Sequence, residues 1–179
     1  MNTRRISKFL SLVLRHQPEK IGLQLDENGW AQVTDVIDGF RKSNLNIDID
    51  ILKEVVKTNN KQRFTFSEDS QLIRANQGHS IDIDLGLKPQ IPPNMLYHGT
   101  AFRNFHSILA TGLEKRNRQH VHLSHEIDTA VMVGKRHGKP VVLKIDAKQM
   151  LEDGFKFYLS KNGVWLTSSV PDRYISVSH

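Results

Sequence analysis

Ile81-Asp82-Ile83-Asp84-Leu85-Gly86-Leu87-Lys88-Pro89-Gln90-Ile91-Pro92-Pro93 is the stretch that divides this chain. Three prolines in five positions forbid a regular helix there and favour extended backbone. The residue pattern changes character on either side, so the boundary falls here: one lobe over 1–80, a proline-rich linker over 81–93 and a second lobe over 94–179. The apolar residues of the linker predict that it is strapped onto something and does not swing freely.

Working back from the linker, Ile6, Phe9, Leu10, Val13 and Leu14 recur at helical spacing up to Gln17-Pro18, where proline ends the run. Asn28-Gly29 suits a tight turn, and Val33, Val36, Ile37 and Phe40 mark a second helix. Ile51, Leu52, Val55 and Val56 mark a third. Arg63-Phe64-Thr65-Phe66 and Leu72-Ile73-Arg74-Ala75 then read as two strands around Ser67-Glu68-Asp69-Ser70. Three helices and a hairpin predict a winged-helix lobe.

Working forward, the segments shorten and alternate. Met95 to His98, Val121 to Leu123, Pro140 to Ile145 and Gly163 to Thr167 read as strands. Helices are expected through Phe105, Ile108 and Leu109, ending at Gly112, and from Ala130 to Arg136. The expected class is α+β.

Composition narrows the function. The 179 residues suffice for real cores, and the absence of cysteine excludes a disulfide framework, a thiolate metal site and a cysteine nucleophile. Charged residues interrupt the N-terminal segment and no run reaches membrane-spanning length, so a cytoplasmic, soluble protein is expected, and a monomer. The net charge of +6 favours a polyanionic partner.

Several clusters could carry chemistry, and each also has an ordinary structural reading. Arg15 and His16 stand at the last turn of the first helix, Arg15 roughly opposite the apolar stripe, where cations also stabilise a helix end. Arg63 opens the hairpin that a winged-helix lobe lays against phosphate. Arg74-Ala75-Asn76-Gln77-Gly78-His79-Ser80 concentrates hydrogen-bonding groups around a glycine that admits an anion, or simply turns. Tyr97-His98-Gly99-Thr100 puts a histidine and a hydroxyl at a strand end beside a glycine. In Arg116-Asn117-Arg118-Gln119-His120-Val121-His122-Leu123-Ser124-His125, strand periodicity places His120 and His122 on one side, which is a metal-ligand geometry. Neighbouring arginines raise the cost of a divalent cation, so no metal is expected, and an anion fits better because the arginine fork matches phosphate oxygens. Arg15, His16, Arg63 and Arg118 are the groups that a metal-free reaction on phosphate would need.

The motifs Leu14-Arg15-His16, Arg63-Phe64, Arg74 to Ser80, Leu96 to Thr100, Gln119 to Ser124 and Gly163 to Thr167, in that order, make the chain resemble the KptA-type RNA 2'-phosphotransferase family over nearly its whole length. The resemblance implies a winged-helix lobe followed by a lobe of the ADP-ribosyltransferase fold. It also implies NAD+ consumed as co-substrate and an RNA carrying a 2'-phosphate as partner, a tRNA where splicing leaves such a junction. In that chemistry the 2'-phosphate attacks the ribose carbon bearing nicotinamide, giving RNA-2'-phospho-ADP-ribose. The neighbouring ribose hydroxyl then attacks phosphorus, releasing 2'-OH RNA and ADP-ribose 1'',2''-cyclic phosphate. Carried over by motif, Arg15, His16, Arg63 and Arg118 are catalytic. His98, Gly99, Thr100, His122, Ser124 and Val164 line the NAD+ site, and Arg74, Asn76, Gly78, His79 and Ser80 meet the RNA phosphates. Val164 occupies the position where many ADP-ribosyltransferases carry a glutamate, as suits an attacking group that is already an anion. Three alternatives stay open: a winged-helix regulator with a nucleotide-sensing domain, an ADP-ribosyltransferase acting on another acceptor, and metal-dependent hydrolysis at the histidines.

Overall fold

Helix α1 (Thr3–Arg15) forms because its apolar residues fall on one stripe; Ile6, Leu10, Val13 and Leu14 are all buried. In this computed structural model, which describes residues 3–177, a 3₁₀ turn over Pro18–Ile21 follows α1. Gly22, in the left-handed conformation at φ 65°, ends it. The chain then runs through β1 (Ala31–Gln32), α2 (Val33–Lys42), α3 (Ile49–Lys57), β2 (Phe64–Phe66) and β3 (Leu72–Ala75). Helix α3 starts where the Asp48 carboxylate accepts from the Ile51 amide at 2.8 Å. The three strands form an antiparallel sheet in the order β1-β3-β2, and β1 is a strand that the sequence pattern does not predict. Phe64, Ile73 and Ala75 close the sheet over a core built by the three helices, including Leu10, Leu14, Phe40 and Leu52.

The chain separates into two compact units between Gly86 and Leu87. Each half of the 81–93 stretch is bonded to its own unit. The Asp84 amide donates to the Glu27 carbonyl at 2.8 Å, and the Asn28 side chain donates to the Asp84 carbonyl at 2.7 Å. The Gln90 amide donates to the Phe157 carbonyl at 2.8 Å.

The second unit comprises β4 (Met95–Ala101), α4 (Phe102–Thr111), β5 (Leu113–Glu114), β6 (Val121–Leu123), α5 (Ile127–Gly134) and β7 (Pro140–Asp146). It continues with α6 (Ala147–Glu152), β8 (Tyr158–Leu159), β9 (Trp165–Thr167), β10 (Ser169–Val170) and β11 (Ile175–Val177). The chain is thus mixed α+β. Strand order β11-β7-β4 makes one sheet and β6-β9-β8 another, while β10 pairs with β5. The two larger sheets touch at one bridge, where Tyr97 and Ser124 exchange backbone hydrogen bonds of 2.7 and 2.8 Å. Beyond that bridge β4 and β6 form no ladder. Leu96, Leu143, Ile145, Met150 and Phe157 are the fully buried centre of this core.

Three sequence expectations shift. Helix α5 begins at Ile127 and stops at Gly134, with Lys135–His137 in a 3₁₀ turn. Gly163 and Val164 lie in a turn before β9, because the Ser160 hydroxyl accepts from the Val164 amide at 3.0 Å and donates to the Val164 carbonyl at 3.0 Å. His120 lies outside β6, so strand periodicity does not put it beside His122; its ring packs edge-on against Tyr158 at 5.7 Å. Among the described residues, no helix is long and apolar enough to cross a membrane.

Candidate functional site

In the first unit the candidate residues meet where α1 ends. The Ser80 amide donates to the Arg15 carbonyl at 3.0 Å, and the His16 Nδ1 and Ser80 hydroxyl lie 2.9 Å apart. This stitches the segment after β3 to the last turn of α1, one of the places where a helix leaves carbonyls without partners. Arg15 is half-buried, with its guanidinium 6.0 Å from the centre of the Phe64 ring, and does not stand opposite the apolar stripe as helical spacing predicts. Hairpin and post-hairpin residues cover the helix end, so the last side chain turns toward them. His16 is exposed.

The hairpin register decides which arginines share a face. Thr65 pairs with Arg74, and the Asn76 amide donates to the Arg63 carbonyl at 2.8 Å, so Arg63, Thr65, Arg74 and Asn76 point away from core residues Phe64, Ile73 and Ala75. Arg63 is held by Asn59, whose side-chain oxygen accepts from the Arg63 amide at 3.3 Å and from Nη1 at 3.4 Å. Asn59 in turn donates to the Ser7 hydroxyl at 2.8 Å, tying hairpin to α1. Arg74 stacks on Trp30 at 4.5 Å and donates to the Asn28 carbonyl at 3.2 Å. Burial lowers the pKa of both arginines, with Asp26 partly offsetting it at Arg74.

His79 is 1% exposed and neither ring nitrogen has a hydrogen-bond partner. Burial first, then the charges of Arg15, His16 and Arg74, push its pKa down from 6.5 to about 3. Such a residue cannot meet a strand of RNA directly, as the sequence reading expects of it, and instead stands behind the cationic cluster. The Arg74 Nε and the Asn76 Oδ1 are likewise buried without a partner. Gly78, at φ 90°, supplies the turn that brings Ser80 back to α1.

In the second unit the candidates gather where β4 and β6 part. The His98 Nδ1 lies 3.0 Å from the His122 carbonyl, which can only accept, so Nδ1 carries the proton. Burial lowers the His98 pKa, the bond to His122 partly opposes this, and the Arg118 charge lowers it further. The neutral ring therefore keeps its Nε2 lone pair as an acceptor. Arg118 is exposed and its Nη1 donates to the His122 Nδ1 at 2.9 Å. The Ser124 hydroxyl turns back on Glu126, donating to its carbonyl at 3.0 Å and accepting from its amide at 3.1 Å. Gly99 is buried because the Ala130 and Gly134 backbone of α5 packs where a side chain would be, so the close approach it permits is that of a helix. Thr100 is buried too, its hydroxyl accepting from Asn104 at 3.4 Å. Continuing the β6–β9 register by one residue sets Val164 opposite Ser124. Among the described residues, no group of three or more His, Asp or Glu side chains could hold a metal ion.

Sequence reasoning missed Asn59, Trp30 and Asn28, which fix Arg63 and Arg74. Trp30 and Asn28 reach Arg74 across more than forty residues of sequence, and Asn59, though only four residues before Arg63, sits in a turn whose geometry no periodicity reveals.

The sequence model described as "RNA 2'-phosphotransferase, Tpt1 / KptA family" matches residues 1–169. A probable RNA 2'-phosphotransferase of Hahella chejuensis is 56% identical over 96% of this chain and 92% of its own length. Another from Fusobacterium nucleatum is 51% identical over 97% of this chain and 98% of its own, and one from Acaryochloris marina is 54% identical over 94% and 93%. With a family model matching residues 1–169 and relatives more than half identical along nearly the whole length, the chain belongs to the RNA 2'-phosphotransferase, Tpt1 / KptA family.

Proposed function

We propose that the protein removes an internal RNA 2'-phosphate by transferring it to NAD+ in two steps, without a metal, using a winged-helix first unit and an ADP-ribosyltransferase-like second unit. The observation that carries this reading is the grouping of Arg15, His16 and Arg74 around the buried His79, whose pKa burial first and then those charges lower to about 3. A reaction on a phosphate monoester needs such preorganised donors, because they stabilise oxygens whose charge must be held through the transfer.

In the first step the 2'-phosphate oxygen bonds to the ribose carbon as the bond to nicotinamide breaks, and nicotinamide leaves with the electron pair. Arg15, Arg63 and Arg118 orient the phosphate for that attack. His98 offers its Nε2 lone pair to a ribose hydroxyl, with the His122 carbonyl fixing the ring and its tautomer. The half-buried Val164 presents an apolar surface where a base is not needed, since the attacking phosphate is already ionised. Gly99, Thr100, His122 and Ser124 shape the wall behind it. In the second step the neighbouring ribose hydroxyl attacks phosphorus, and the bond to the RNA 2'-oxygen breaks. The arginines hold the crowded five-coordinate phosphorus, and His16, exposed and bonded to Ser80, exchanges the proton between attacking and leaving oxygens. Arg74, Gly78 and Ser80 contact the RNA phosphates, with Asn76 and His79 supporting them from behind. The products are 2'-OH RNA, nicotinamide and ADP-ribose 1'',2''-cyclic phosphate. A tRNA splice junction is the proposed physiological substrate and the cytoplasm the proposed location of a monomeric enzyme.

The test is to incubate the protein, in excess chelator, with an RNA bearing one internal 2'-phosphate, with and without NAD+. Release of ADP-ribose cyclic phosphate only with NAD+ is expected. Survival of the 2'-phosphate in the presence of NAD+ overturns the reading, and activity lost to chelator alone returns the metal alternative.

A further inference from the structure

The outer face of α1 carries a groove of about 590 Å³ that reaches His16 at one end. Arg5, Lys8, Leu12 and His16 recur along it at helical spacing, forming one stripe about 16 Å long at 1.5 Å per residue. Lys20 closes the stripe beside His16, and half-buried Phe9 and Leu45 form an apolar floor. No carboxylate lines it.

Two further observations say what such a groove is for. Helix α1 has no acid in its first turn and carries Arg4 and Arg5 there, at the end where the helix dipole disfavours cations. These charges gain nothing from the helix dipole there, and the groove that Arg5 lines is complementary to a polyanion. The helix that a winged-helix DNA regulator inserts into a groove corresponds to α3, yet α3 exposes Asp50 and Glu54 beside Lys53 and Lys57. Helix α1, by contrast, carries Arg4, Arg5, Lys8 and Arg15 and no acid at all.

We propose that this stripe is the track for the RNA strand flanking the 2'-phosphorylated nucleotide, its backbone phosphates on Arg5, Lys8 and Lys20 and its sugars and bases over Phe9 and Leu45. The proposal rests on the reading that His16 faces the transferred phosphate, since the track then leads directly into the reaction. Cationic grooves with an aromatic floor bind single strands without reading sequence, which suits an enzyme that recognises one modified sugar in varied surroundings.

The test uses the full chain and a fluorescein-labelled ten-nucleotide RNA with no 2'-phosphate, its binding followed by anisotropy over a salt series. Single-strand binding loses a log–log slope of roughly 0.7 for each phosphate contact removed, so Lys8→Gln with Lys20→Gln lowers the slope by about 1.4. The same charge removed from α3, by Lys53→Gln with Lys57→Gln, leaves the slope in place. In turnover, the α1 pair reduces the preference for a 2'-phosphorylated ten-mer over a 2'-phosphorylated dinucleotide, as a ratio of kcat/KM, at least fivefold. The proposal is overturned if the slope is unmoved, if the α3 pair lowers it equally, or if both substrates lose kcat/KM in parallel. An unmoved slope would leave the groove to another partner, such as an acidic protein segment. Binding is read without NAD+, so an enzyme that fails to remove the 2'-phosphate refutes the proposed reaction while the slope still decides the track.

Discussion

Each unit holds a histidine at its candidate site, His79 buried and His98 half-buried, and desolvation lowers the pKa of both, but the two rings are held in place by different means. His79 lies among the charges of Arg15, His16 and Arg74, with neither ring nitrogen bonded, so nothing fixes its tautomer. His98 donates from Nδ1 to a backbone carbonyl, which fixes both tautomer and ring and leaves one acceptor facing outward. A ring fixed in that way suits recognition of a neutral hydroxyl. A ring without a hydrogen-bond partner, kept neutral by burial and then by surrounding charge, suits a filler that must not add a further cation to a cluster built for phosphate. The first unit is thus organised around charge and the second around hydrogen-bond direction.

The largest effect that would break this comparison is on the charge side. Arg63→Ala should reduce turnover of a 2'-phosphorylated RNA by roughly 10²–10³-fold, the usual cost of one transition-state donor, with little change in thermal unfolding. Arg63→Lys should recover only part of it, because the lysine point charge does not reproduce the fork. A large loss of thermal stability with turnover per folded molecule intact would make Arg63 a structural residue. Next in size is Gly99→Ala beside His98. Its new methyl would collide with the Ala130 carbonyl of α5, so unfolding should move by about 3 kcal/mol as a case of overpacking against backbone. Wild-type stability in that variant would show that α5 yields, and that Gly99 is there for a ligand.

A smaller effect tests His79. Its folded pKa of about 3 lies below the unfolded 6.5, so the unfolded chain binds the proton first as pH falls. Its neutral form costs nothing above pH 6.5, and stability declines below that by up to about 1.4 kcal/mol per pH unit. Between pH 7.5 and pH 5 this amounts to about 2 kcal/mol, which His79→Phe should remove from a urea-denaturation series. An unchanged pH slope would mean that His79 takes up its proton equally in the folded and unfolded protein, and the contrast with His98 would vanish.

Much of this was legible in the residues themselves. Buried positions of α1 follow directly from the spacing of Ile6, Leu10, Val13 and Leu14, and the α+β class follows from the change of pattern across the prolines. Short strands such as β1, β5 and β10 were not legible, because two residues carry no periodicity and are defined only by their partners. The same holds for side-chain direction. Arg15 faces Phe64 because hairpin residues cover the helix end, and Gly99 serves α5 because a helix beginning 28 residues later packs on it. Motif spacing identifies which residues matter, but long-range packing decides which way each one faces.

His98 gives the smallest effect and the finest test. Loss of one hydrogen bond to a ribose hydroxyl should raise the KM for NAD+ about tenfold in His98→Ala, the equivalent of roughly 1.4 kcal/mol. His98→Asn separates the two ends of the ring, since its amide can still donate to the His122 carbonyl but has nothing at the Nε2 position. It should therefore keep wild-type stability while matching His98→Ala in KM. The pH profile supplies the sign: because the His98 pKa is lowered, the acceptor is present throughout the range above 6.5, and KM for NAD+ should be flat there and rise only on further acidification. Neither variant should have that acid limb. A KM that recovers in His98→Asn would place the functional contact on the His122 carbonyl side, and the direction of the ring would then serve the fold of β4 against β6 instead of the cofactor.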